Sequence, residues 1–226
     1  MQITEVSELG LRSAVITLAR SGSPMRIVLF PMVHFGLPSF YRQVASRLST
    51  CDLIVAEGYD GPSTTGLAYA IAHRLTRQRG ASALVNQDID YRALGVPVVW
   101  PERLTGGGRQ DRLSWWGWLD VVLLVPVLTV MAAVGGRSQL LRRGYEVSDD
   151  TDPRIFLRFL QKPLLEARDD ELLAELARIH DARHDEAIRV AVVYGAAHLP
   201  TVVQSLCERY GYRAIRGGEW LTVIDL

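Results

Sequence analysis

The sequence predicts a mixed α/β fold, with a mostly parallel central sheet flanked by helices. Short runs rich in valine and isoleucine alternate with stretches of helical period through most of the chain, the pattern of strand–helix–strand units. Three of the runs, Ile27 to Phe30, Leu53 to Ala56 and Val190 to Tyr194, are apolar at every position, as strands buried on both faces are. The 226 residues suffice for one sizeable core, read here as a single domain over 1–226.

In order, Ile3 to Arg20 reads as short strands around the turn at Glu8-Leu-Gly-Leu. Ser21-Gly-Ser-Pro is a turn cluster. The run from Met25 ends in His34-Phe-Gly, and Pro38-Ser opens a helix to Leu48. A third run from Cys51 ends in Glu57-Gly-Tyr-Asp60. Thr64 to Arg79 has helical spacing, and Leu94 to Trp100 reads as another strand. Thr151 to Ala187 is helical and charge-rich, begun by Asp152-Pro153. Val190 to Tyr194 is followed by a glycine turn, His198 and a helix from Thr201 to Tyr210, stopped by Gly211. A strand around Trp220 closes the pattern.

Composition excludes some classes. Lys+Arg and Asp+Glu are both 25, so the formal net charge is zero and a nucleic-acid partner is not expected. Cys51 and Cys207 lie far apart and form no Cys-x-x-Cys pair, which predicts free thiols in a reducing compartment. The first residues lack signal-peptide character, so a cytoplasmic location is expected. Thr105-Gly-Gly-Gly has no following Lys-Ser/Thr and is no phosphate loop.

The chemistry-bearing residues stand at strand ends: His34, Glu57 and His198. Ligands of open α/β sheets sit beyond the carboxyl ends of the strands. If neighbouring strands deliver them, two imidazoles and a carboxylate form a site for a divalent ion, with Mn, Co, Zn and Fe all compatible. Such an ion makes hydrolysis the natural reaction class. Without metal, the same residues make an imidazole base paired with a carboxylate. Tyr194 is a nearby candidate for substrate contact. His180 and His184, one helical turn apart in a charged stretch, are expected on a solvated helix face rather than on a metal.

Three of these signatures, Met32-Val-His34-Phe-Gly, Leu53-Ile-Val-Ala-Glu57 and Gly195-Ala-Ala-His198-Leu, resemble those of the TraB/PrgY/GumN family, which includes the TIKI proteases. Leu165-Glu-Ala-Arg168-Asp169 is similar to its helical element with arginine followed by Asp or Asn, and Gln87-Asp-Ile-Asp-Tyr-Arg to a stretch after its glutamate. The resemblance implies a fold related to the erythromycin esterases and the ChaN-like haem-binding lipoproteins. It also implies a metal-dependent peptidase-like hydrolase acting on a peptide or small molecule, with His34, Glu57 and His198 at one site. Arg168 would then act on Glu57 as a charge partner or bind a substrate carboxylate. The alternative is a non-catalytic protein that sequesters a peptide or haem in the same pocket. Pro31 stands where the family has glycine, so positive φ is unavailable there.

Leu113 to Gly136 carries a single charge, Asp120, and a tryptophan cluster, and is long enough to cross a bilayer. Three readings stay open for this insertion: a buried or dimer-interface helix, a membrane-surface or re-entrant contact, or a true span. A single crossing would put His34 and Glu57 on the opposite side from His198.

Overall fold

Successive apolar residues make β3 (Arg26–Met32), β5 (Leu53–Ala56) and β8 (Arg189–Gly195) the centre of the fold. The computed structural model describes residues 2–7, 9–33, 35–57, 85–87, 89–101, 155–215 and 218–225; the side chains of 35, 86 and 155–168 are not among those described. Within these residues an eight-stranded mixed sheet runs in the order β1-β2-β3-β8-β5-β7, with β9 and β10 also paired to β2. The strands β3, β8, β5 and β7 (Val98–Val99) are mutually parallel. β1 (Thr4–Ser7), β2 (Gly10–Ala19), β9 (Arg213–Ala214) and β10 (Glu219–Asp225) form an antiparallel flank. A separate two-residue ladder joins β4 (Phe35–Gly36) to β6 (Val85–Asn86).

Alternation along the strands sorts side chains into two cores, one on each face of the sheet. Leu53, Val55, Val190, Val192 and Tyr194 pack with α2 (Ile155–Arg183) and α3 (Leu199–Tyr210). Ile54, Ala56, Ala191 and Val193 pack on the other face with α1 (Pro38–Leu48) and a 3-10 turn at Tyr91–Leu94. Every side chain from Val190 to Tyr194 is 0–1% exposed, because β8 has a strand on each side and helices above and below. That environment explains an apolar run with no polar alternation.

Three expectations are adjusted. The strand expected over Leu94 to Trp100 shrinks to Val98–Val99, because the preceding turn ends at Gly95 in the left-handed region (φ 68°). The sheet is parallel only from β3 through β8 and β5 to β7. The helix expected from Thr151 runs Ile155–Arg183, and its proposed start at Asp152-Pro153 lies outside the described residues. The stretches 64–79 and 113–136 also lie outside them. No helix among the described residues is long and apolar enough to cross a membrane.

β5 and β7 precede residues 102–154 and β8 follows them, yet β5 is hydrogen-bonded to both β7 and β8. Both flanks of residues 102–154 therefore belong to one sheet.

Candidate functional site

Strand register builds the site. Met32 pairs with Gly195, and Ala56 pairs with Val193, so β3 ends level with β8 and β5 ends two residues short of it, with β8 in the middle. Glu57 follows β5 directly, its backbone N–H donating to the Val193 carbonyl at 3.0 Å. Past Gly195 the chain makes one tight turn, with His198 N–H donating to the Gly195 carbonyl at 3.0 Å, and enters α3. His198 occupies the cap position of α3 but makes no capping hydrogen bond with its side chain. Its ring is engaged elsewhere.

His198 Nδ1 lies 2.6 Å from Asp169 Oδ1, and Nε2 lies 3.9 Å from Glu57 Oε1. A carboxylate oxygen accepts only, so Nδ1 carries the hydrogen and donates to Asp169, while Nε2 faces Glu57. The other oxygen of Glu57, Oε2, accepts from the Gly195 N–H at 2.9 Å. Side-chain exposure is 6% for His198, 17% for Asp169 and 21% for Glu57, so the imidazole is shielded while the Glu57 carboxylate reaches the surface. Tyr194 packs edge-on against the imidazole, with ring centroids 6.0 Å apart and planes at 82°.

Gly195 borders the space between the two functional groups and is not among the glycines at positive φ. A Cβ at this position would stand 3.4 Å from Glu57 Oε2 and 3.5 Å from His198 Cδ2, in the gap the two functional groups share.

The remaining candidates are placed as follows. His34 and Asp60 lie outside the described residues, although β3 runs to Met32 at the same sheet edge. Arg168 lies in α2 and its side chain is not described; the residue of that helix shown reaching the site is its neighbour Asp169. Tyr194, considered for substrate contact, is fully buried and supports the His198 ring from below. Among the described residues, no cluster of three His, Cys, Asp or Glu side chains has the geometry of a metal site.

Two contributors were missed from sequence. Asp169 stood within a run of charges, Arg168 to Glu171, in which nothing local marks it. Tyr91 sits in the Gln87 to Arg92 stretch and packs edge-on against Trp100, with centroids 5.3 Å apart. Burial, opposed by a hydrogen bond with Gln87 and reinforced by the Glu57 carboxylate, pushes its phenol up to about 12. It keeps its proton across neutral pH and remains a donor. The stretch Gln87 to Arg92 carried the signal for it, without a role attached.

The His180–His184 pair also departs from expectation. His180 is 4% exposed rather than solvated, with both ring nitrogens partnered inside the protein.

No family model matches the chain, and no curated protein or solved structure does either.

Proposed function

We propose that the protein is a metal-assisted hydrolase of a peptide or small-molecule substrate, working at the carboxyl edge of β3, β8 and β5. The observation that carries this reading is the Asp169–His198–Glu57 arrangement: an imidazole tied at Nδ1 to a carboxylate, its Nε2 turned toward a second carboxylate. Metal-binding histidines are held in this way, by an outer carboxylate that fixes the tautomer. At metal–ligand bonds of about 2.1 Å, tetrahedral donors stand about 3.4 Å apart. The 3.9 Å between Nε2 and Oε1 is wider by an amount that side-chain rotation can close. The donors suit a divalent ion such as Mn, Co, Zn or Fe, with His34, two residues past β3 in the sequence, assigned as the third.

When bound, the ion supplies Lewis-acid polarisation and lowers the pKa of water toward about 7. The protein's own groups do the remaining work. Asp169 orients the ring and stabilises the imidazolium whenever His198 takes up a proton. The Gly195 N–H steadies one oxygen of Glu57, and the other faces the reacting position as a ligand or base. Arg168 is assigned as a charge partner for Glu57 or substrate. The resemblance to the TraB/PrgY/GumN family, with its erythromycin-esterase and ChaN-like fold relation, supports the same reading.

The test is elemental analysis of protein purified without chelator, beside His34→Ala and His198→Ala, with turnover of a pool of internally quenched peptides in Mn or Co buffer. The expected result is stoichiometric metal that both substitutions abolish, and a fall in turnover of about 100-fold or more in Glu57→Gln. Protein that stays metal-free after loading with Mn, Co and Zn would overturn the metal site. Peptide binding without cleavage would instead favour sequestration.

A further inference from the structure

Helix α2 is secured at a second point. Eleven residues after Asp169, about 16 Å along the helix, His180 is buried against the turn that joins β2 to β3 and the segment after α3. Arg20 lies with a guanidinium nitrogen 3.0 Å from His180 Nε2, and the Tyr212 hydroxyl lies 3.1 Å from Nδ1. A guanidinium only donates, so Nε2 accepts and Nδ1–H donates to Tyr212. Tyr212 is hydrogen-bonded in turn to Ser23, whose hydroxyl donates to the His184 carbonyl. His184 Nδ1 lies 3.0 Å from the His180 carbonyl. Arg20 donates to His180 and His180 to Tyr212, a direction set at its start by Arg20.

We propose that the Arg20–His180–Tyr212–Ser23 chain is a pH-sensitive latch that seats α2 and thereby keeps Asp169 on His198. The chain admits only the neutral imidazole. A proton on Nε2 would set an N–H against the Arg20 guanidinium, removing the acceptor and placing two positive charges about 3 Å apart. Asp169, Leu172, Leu176, Ile179 and His180 fall on one stripe of α2, so loss of seating at His180 acts on the face that carries Asp169. The latch is linked to function through the reading of His198 as the working imidazole.

The surrounding charges agree. His180 is faced by Arg20 before the β2–β3 turn, by His184 and Asp181 on its own helix, and by Tyr210 and Tyr212 around the end of α3; Arg26 of β3 bears on Tyr212. Burial first, then Arg20, then His184 hold His180 below the ordinary imidazole value, with Asp181 opposing. The folded value therefore lies below the unfolded value of about 6.5, and between the two the unfolded chain binds more protons. The stabilisation is complete above about pH 6.5 and is lost as pH falls through the folded value.

The test follows the histidine ring nitrogens of the full chain by long-range ¹H–¹⁵N NMR from pH 8 to pH 5, in wild type, His180→Gln and Arg20→Gln. Glutamine presents an amide oxygen to Arg20 and does not titrate in this range. The expected result is an Nδ1-protonated His180 that gains its second proton below the ordinary imidazole value, and loss of the hydrogen-bonded His198 Nδ1–H signal in step with that protonation. At the pH where wild type loses that signal, His180→Gln retains it, and Arg20→Gln moves the His180 midpoint up. The latch is overturned if His180 titrates at its ordinary value, or if His198 loses its signal at the same pH in wild type and His180→Gln. Should the glutamine variant not fold, an unchanged midpoint in Arg20→Gln overturns it as well. Metal binding and turnover are not read, so failure of the hydrolase reading and failure of the latch give different results.

Discussion

An imidazole has two nitrogens, and the partner of one determines what the other can do. At His198 the partner is Asp169, 2.6 Å from Nδ1, which leaves Nε2 for chemistry. Asp169→Asn replaces a charge-assisted hydrogen bond, roughly twice as strong as a neutral one, with an amide that can also present its NH₂ group and invert the tautomer. We expect the affinity for Mn or Co to fall by about 10–100-fold while the circular-dichroism spectrum is unchanged, measured by calorimetric titration. Unaltered affinity in a folded variant would remove Asp169 from the site. Residue by residue, legibility was uneven. Glu57 and His198 were legible because a carboxylate or imidazole closing an apolar strand has no packing reason to be there. Asp169 was not, because in Arg168-Asp-Asp-Glu171 every residue is charged and nothing local marks the one that bonds His198.

At the scale of elements, α2 shows how the fold places that residue. Leu172, Leu176 and Ile179 are at most 3% exposed, and they dock α2 on the face built from Val190, Val192 and Tyr194. Glu175, buried on the same helix, is held by the exposed Arg178 one turn on, whose Nε donates at 2.9 Å. Leu172→Ala removes a fully buried side chain one turn from Asp169. It should destabilise the protein by about 2–5 kcal/mol, read from the urea midpoint, and the site should loosen with it. A loss within about 0.5 kcal/mol would mean that α2 does not bear on the core as described. Gly195 gives the complementary case. An alanine there would make ordinary van der Waals contacts with Glu57 and His198, whereas a leucine would occupy the gap between them. Gly195→Leu is expected to abolish ligand binding at the site, and Gly195→Ala to spare it.

At the scale of the molecule, the site exists because of strand order. β3 and β5, joined through α1, leave a slot between them that β8 fills from more than a hundred residues away. That closure also puts both flanks of residues 102–154 in one sheet. Epitopes at the two termini should be accessible from the same side of any membrane the protein meets, whatever residues 102–154 contact; opposite accessibility in a protease-protection experiment would contradict the sheet. The sequence by itself determined the α/β class, the three central strands, the ends of α1 and α3, and two of the residues that meet at the sheet edge. These are local quantities, because periodicity, proline, glycine and the run length of apolar residues act over a few neighbours. Tertiary structure alone decided that β8 lies between β3 and β5, that Asp169 reaches His198, that Tyr194 is covered, and that His180 is buried. Each of these depends on which surface an element meets, and that is set by long-range pairing and packing rather than by the residues adjacent in the chain.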